Sequence, residues 1–144
     1  MLITKKSLKL LAVFFAVMVL SLGCSDPEKK KVVHYEKGMQ YVEKEDWKSA
    51  ILELQTAVQN DPKYAEARYQ LGLAYIKDGQ PKNAYNELLR ATSLNPENLD
   101  AQIILGQFFL KNKQFDKSRE RAFKILEIDP EYIEALELLA LTLA

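Results

Sequence analysis

The sequence predicts an all-α fold: tandem antiparallel helix-turn-helix units, about seven helices in a stack. Three observations carry this. Prolines fall at Pro62, Pro96 and Pro130, 34 residues apart. Glycines keep the same period at Gly38, Gly72 and Gly106, each with an aromatic three residues on (Tyr41, Tyr75, Phe109). A small residue follows each glycine by twelve (Ala50, Ala84, Ser118), and Ala67, Ala101 and Ala135 hold the period too. A fixed period of this size marks a stacked array, in which each unit buries its apolar face on its neighbour.

The units are residues 31–64, 65–98 and 99–132, with 133–144 opening a fourth. In the first, the spacing predicts helices over Val32–Lys44 and Trp47–Asn60. Val33, Lys37, Tyr41 and Lys44 share one face of the first helix by the i, i+4 rule. Ala50, Leu54, Ala57 and Val58 stripe the second, with Trp47 read as core. Pro62 ends that helix, because the residue before a proline is pushed out of the α region. In the second unit, Asp78-Gly79 closes one helix with a residue tolerant of the left-handed region, and Pro81 opens the next. In the third, Ser118 replaces the small alanine and Ala122 stands where a large residue is expected. Phe115, Phe123 and Ile125 are expected to refill that space. In the last stretch Leu136, Leu139, Ala140 and Leu143 read as the apolar stripe. ALELLALTLA makes a poor polar cap for an array, which favours a piece of a longer array over an end docked on a partner.

The N-terminus reads as a targeting segment. Lys5, Lys6 and Lys9 precede an unbroken apolar run of eleven, Leu10 to Leu20, then Ser21-Leu22-Gly23-Cys24. Basic, apolar and small-residue regions in that order are the layout of a secretory signal. The run is short for a membrane span, which needs about 20 apolar residues. Residues 1–23 are therefore expected to be removed, leaving Cys24 and a flexible tether over 24–31. Lys5, Lys6 and Lys9 are the only charges before Asp26, so the remainder carries 17 basic against 20 acidic residues. That balance makes no electrostatic case for nucleic acid. One cysteine excludes an internal disulfide, and one cysteine with one histidine excludes the usual zinc clusters. His34 stands without any phosphate-loop, nucleophile-elbow or dinucleotide motif. Glu43, Glu45 and Asp46 read as a solvated turn. The sequence thus points to no enzyme, no cofactor and no small-molecule substrate.

The repeated columns resemble the tetratricopeptide repeat, and AEARYQLGLAYIKDGQPKNAYNELLRATSLNP is the unit that resembles it most. Here Leu71-Gly72 precedes Tyr75, and Ala84, Leu88 and Ala91 follow. Glycine within a helix costs about 1 kcal/mol relative to alanine. The resemblance supplies an offset: the paired helix crosses at the glycine, with Ala84 meeting the bare backbone. The first unit departs from the family pattern at Lys37 and His34, where leucine and tryptophan are usual, so a weaker, more exposed first helix is expected.

LSLGC is similar to the bacterial lipobox. That resemblance implies acylation of Cys24 and anchoring to a membrane, with Ser25 after the cysteine implying the outer membrane facing the periplasm. The two resemblances together imply a non-enzymatic scaffold: a lipid-anchored envelope protein holding a peptide or helix of a partner protein. Its inner face would be lined by the first helix of each unit, with Tyr35, Met39 and Val42, then Tyr69, Leu73 and Ile76, then Ile103, Ile104 and Leu110. Gln107 is among the polar neighbours. The lysine–asparagine set with which some members clamp a C-terminal carboxylate is absent. Similar lipoproteins act in outer-membrane protein assembly, pilus secretin piloting and exopolysaccharide-linked PEP-CTERM sorting. EKEDWKSAILELQTAVQNDP looks most like the last group. The alternative is an accessory region of a longer protein whose catalytic domain lies elsewhere; carbohydrate binding, with one tryptophan, is poorly supported.

Overall fold

The computed structural model describes residues 27–143, and these form seven helices and no strand. In chain order they are α1 (Pro27–Glu43), α2 (Trp47–Asn60), α3 (Ala65–Lys77), α4 (Pro81–Leu94), α5 (Leu99–Lys111), α6 (Phe115–Ile128) and α7 (Ile133–Leu141). Each helix packs on the next, and α5 also meets α7. The expected signal segment and Cys24 lie outside the described residues.

Helix α1 starts five residues before its expected position, so Pro27 to Lys31 are helix and not tether. Pro27 is the first helical residue, where its missing N–H costs nothing, and Glu28 favours the positive end of the helix dipole. Lys31 then fastens this turn to the body. Its Nζ reaches Glu28 and, at 2.7 Å, Asp61, and lies 5.3 Å from the Tyr64 ring centre. The expected exposure of α1 appears at Val32 and Val33.

Two kinds of turn alternate, and each repeats its hydrogen bonds. Within a unit, the first helix ends in a left-handed residue: Glu45 (φ 56°), Gly79 (φ 75°) and Lys113 (φ 58°). In the second unit Gly79 N–H donates to the Ile76 carbonyl and Gln80 N–H to that of Tyr75, the paired bonds of a Schellman motif. Between units, the side chains of Asp61, Asn95 and Asp129 each accept from the backbone N–H two residues on, across Pro62, Pro96 and Pro130. Asp46 and Asn98 cap α2 and α5 by accepting from Ser49 and Ala101 N–H. All turns of one kind fall along one edge of the stack, and those of the other kind along the opposite edge.

The core repeats as well. Ala50, Leu54 and Ala57 are buried on α2, Ala84, Leu88 and Ala91 on α4, and Ser118, Ala122 and Ile125 on α6. Trp47 is half-buried at the start of α2. A Cβ on Gly72 would stand 2.8 Å from Leu88 Cγ but 3.5 Å from the Ala84 carbonyl oxygen. The residue the glycine admits is therefore Leu88, not Ala84, and Gly38 likewise admits Leu54. Ala84 is small for a different reason: it is fully buried in the helix crossing.

The third unit solves the same problem with another residue. Ala122 occupies the place of Leu54 and Leu88 and is too short to reach Gly106. Leu138 of α7 fills the space, with its Cδ2 against the position a Gly106 Cβ would take. Phe115 and Phe123, expected there, are instead about half exposed. Ile125 is fully buried as expected. Ser118 also does more than fit, because its Oγ donates at 2.9 Å to the Gly106 carbonyl. With Leu138 inward, α7 and the turn after it bury Ala135, Leu138 and Thr142, while Leu136, Ala140 and Leu143, expected in the stripe, face out. Helix α7 meets both α6 and α5, and the seam with them decides which of its residues are buried.

Candidate functional site

Helices α3 and α5 enclose the candidate groove. Tyr69, Leu73 and Ile76 lie at i, i+4 and i+7 on α3, and so along one face. A cavity of about 480 Å³ opens at the end of this row. Ile76, Gly79 and Pro81 line one wall, and Ile104, Gln107, Phe108 and Lys111 the other. The structure thus brings Ile76, Ile104 and Gln107 together. Ile76 is 38% exposed and Gln107 is exposed, whereas Ile104 and Phe108 are half-buried against the core. The wall is apolar at its base, with Lys111 and the Gln107 amide at its rim.

The other expected groove residues divide. Ile103 is buried and belongs to the core with Ala122, Ile125, Ala135 and Leu138, so it does not line the groove. Adjacent positions on a helix are about 100° apart; α7 covers the side of α5 that carries Ile103 and leaves Ile104 turned toward α3. Tyr35 is half-buried and packs at a tilt against Tyr64, ring centres 5.1 Å apart. Burial and the Glu66 carboxylate push its hydroxyl pKa up to about 12. Tyr69 is half-buried beside Leu88, Ala101, Leu105 and Phe109, and burial raises its pKa as well. Met39 and Leu73 are half-buried. Phe108 is the groove residue that sequence reasoning missed. The aromatic column falls on its neighbour Phe109, although the i+4 step from Ile104 leads to Phe108.

A polar ladder fixes how the helices holding the groove meet. His34 Nδ1 lies 2.6 Å from Glu53 Oε2, Arg68 Nη1 donates to Glu87 at 2.6 Å, and Arg121 Nη1 donates to the Gln102 Oε1 at 2.7 Å. Each rung joins the first helix of a unit to the second, 19 residues later. Arg68 and Gln102 also donate back to the Pro62 and Pro96 carbonyls. His34 is therefore a structural partner of Glu53.

The comparisons with known proteins agree with this architecture. A family model described as TPR repeat matches residues 38–79, and one described as tetratricopeptide repeat matches 75–141. No curated protein matches the chain. Among solved structures, MamA protein is 29% identical with a TM-score of 0.71, over 78% of this chain and 61% of that one. YrrB, described as a TPR protein with an unusual peptide-binding site, is 27% identical with a TM-score of 0.70, over 78% of this chain and 58% of that one. The second TPR domain of the human RPAP3 protein, solved with the HSP70 peptide SGPTIEEVD, shares the fold at 15% identity and a TM-score of 0.72, over 83% of this chain and 99% of that one. The period, the paired helices, the glycine–leucine crossings and these matches agree: the chain belongs to the tetratricopeptide repeat family.

Proposed function

We propose that this protein is a non-enzymatic scaffold that holds a peptide or helix of a partner protein in the groove between α3 and α5. The cavity walled by Ile76, Ile104 and Phe108 carries this reading. An apolar recess with a few polar groups at its rim suits one large apolar side chain of a ligand whose backbone is met by Gln107 and Lys111. Peptide-bound relatives of the same fold support the class of ligand. The lipobox-like LSLGC supports a scaffold acylated at Cys24 and held on the envelope, with the outer membrane favoured by Ser25. Service in protein or exopolysaccharide sorting or export fits that location.

Site-specific photocrosslinking in a diderm host tests the reading. A photoreactive residue at Ile76 is expected to give a discrete protein adduct, and one at the exposed Asn86 of α4 none. Equal labelling at both positions would refute groove binding. Fatty-acid labelling that persists in Cys24→Ser would refute the anchor.

A further inference from the structure

The edge formed by the turns within units carries two more clefts, one repeat apart. The first, about 480 Å³, is lined by Pro81, Lys82, Tyr85, Phe108, Phe109 and Lys117, among others. The second, about 560 Å³, is lined by Lys113, Phe115, Asp116, Lys117, Arg119 and Thr142 with Gln114. Pro81, Tyr85 and Phe108 are replaced one period later by Phe115, Arg119 and Thr142. Lys117 borders both clefts. The first shares Pro81 and Phe108 with the groove, but Lys82, Tyr85, Phe109 and Lys117 line it and not the groove.

Both clefts combine aromatic and basic side chains. The floor of the first is aromatic: Tyr85 packs edge-on to Phe108 and Phe109, with centres 6.1 and 6.0 Å away, and the second holds Phe115. The rim of the edge carries Lys82, Lys113, Lys117 and Arg119, with Asp116 as the one carboxylate. Among the described residues, Lys82 and Lys113 have no ion-pair partner, and Lys117 Nζ is held 5.5 Å from the Phe109 ring centre. Arg119 touches the fully exposed Asp116 only at 3.6 Å and donates one Nη2 bond to the Thr142 carbonyl. Its Nε is buried without a partner. The first unit does not share this character, since Glu43, Glu45 and Asp46 outweigh Lys44 and Lys48 in its turn. On the opposite edge of the stack Glu127, Asp129, Glu131 and Glu134 follow one another with no basic residue between them.

We propose that the edge from Lys82 to Arg119 is a second docking surface, separate from the groove, for an acidic protein segment in which apolar side chains alternate with carboxylates. The apolar side chains enter the two clefts, the first of them aromatic-floored, and the carboxylates meet Lys82, Lys113, Lys117 and Arg119. Charge complementarity selects this occupant, and the aromatic side chains favour it over a bare phosphate backbone. The inference does not depend on the groove reading.

The test is fluorescence anisotropy with the full chain in detergent and a short labelled peptide alternating glutamate with leucine. The glutamine-for-glutamate peptide is the control. The acidic peptide is expected to bind, to weaken as salt shortens the screening length, and to bind roughly tenfold tighter than the glutamine control. Lys113→Glu with Lys117→Glu is expected to weaken binding by about tenfold or more, and Lys82→Glu to weaken it as well, at unchanged helicity. Lys63→Glu, on the opposite edge of the stack, is expected to leave it unchanged. Equal binding of the two peptides, or parent-like binding by both folded edge variants, would overturn the proposal. So would displacement of the peptide by a single-stranded oligonucleotide or phosphatidylglycerol vesicles at lower concentration than unlabelled peptide, which would assign the edge to phosphate.

Discussion

Leu88 of α4 occupies the space that a side chain on Gly72 of α3 would need: a Cβ there would lie 2.8 Å from Leu88 Cγ and 3.0 Å from its Cδ2. Leu88 is fully buried, so it has little room to withdraw. The pair sets the distance between the two helices of the central repeat. Gly72→Leu is expected to destabilise the fold by about 1–3 kcal/mol or more through overpacking. Thermal unfolding by circular dichroism reads it, and a parent-like melting temperature would contradict the crossing.

The third repeat offers a sharper form of that test. Leu138→Ala alone removes a buried side chain and is expected to cost about 2–5 kcal/mol. Gly106→Ala alone forces a methyl against Leu138. Because the two changes share one space, the double variant is expected to lose clearly less than the sum of the singles. Strict additivity in denaturant unfolding would show that Leu138 does not fill this crossing.

Arg68 tests the polar ladder. It is 5% exposed, and its charge is met by Glu87 while its Nε donates to the Pro62 carbonyl. Glu87→Ala leaves that guanidinium without its carboxylate and is expected to cost about 1.5–3 kcal/mol, the range for hydrogen bonds to charged groups. Arg68→Met combined with Glu87→Leu is expected to recover most of the loss. A parent-like Glu87→Ala in urea unfolding would show that the rung contributes nothing.

Glu45 and Lys113 hold the left-handed conformation that Gly79 holds in the second repeat. A non-glycine residue there carries a cost of about 1–2 kcal/mol, so Glu45→Gly is expected to raise the melting temperature. A fall would mean that contacts of the Glu45 side chain outweigh its backbone strain.

Stability is expected to fall at both ends of the pH range. Hydrogen bonds from Ser49 to Asp46, and from Lys31 to Asp61, hold these two carboxyls below the ordinary 3.8. Their contributions are complete above that value and lost as the pH drops through the lower folded values. Burial of Tyr35 and Tyr132, the latter also donating to Asp100, raises both hydroxyls to about 12 from 10.0. These contributions are complete below 10.0 and lost as the pH rises toward 12. Tyrosine absorbance during alkaline titration should show late ionisation that diminishes in Tyr35→Phe with Tyr132→Phe.

The repeat period made the helices, the turns and most buried columns legible in the sequence. It succeeded where one residue type performs one task in every copy, as Pro62, Pro96 and Pro130 do. It failed where different residues share a task. The rungs His34–Glu53, Arg68–Glu87 and Gln102–Arg121 use three residue types at one column. Leu138 stands in for a Leu54 or Leu88 equivalent from the neighbouring unit, which no within-repeat column can show. For the groove, the resemblance implied a face on α3 and α5 but did not separate Ile103 from Ile104. Their adjacent directions are assigned by how α7 lies on α5.

The central claim is that a partner segment seats its apolar side chain between α3 and α5. Its most direct test is calorimetric titration of the protein crosslinked at position 76 into three folded versions of the full chain: parent, Leu73→Lys and Asn86→Lys. Apolar burial is worth about 25 cal/mol per Å² before the costs of association, so a charge in the groove removes favourable burial and adds desolvation. The account predicts at least a roughly tenfold loss of affinity for Leu73→Lys, equivalent to about 1.4 kcal/mol, and parent affinity for Asn86→Lys. Parent affinity for both variants would contradict it.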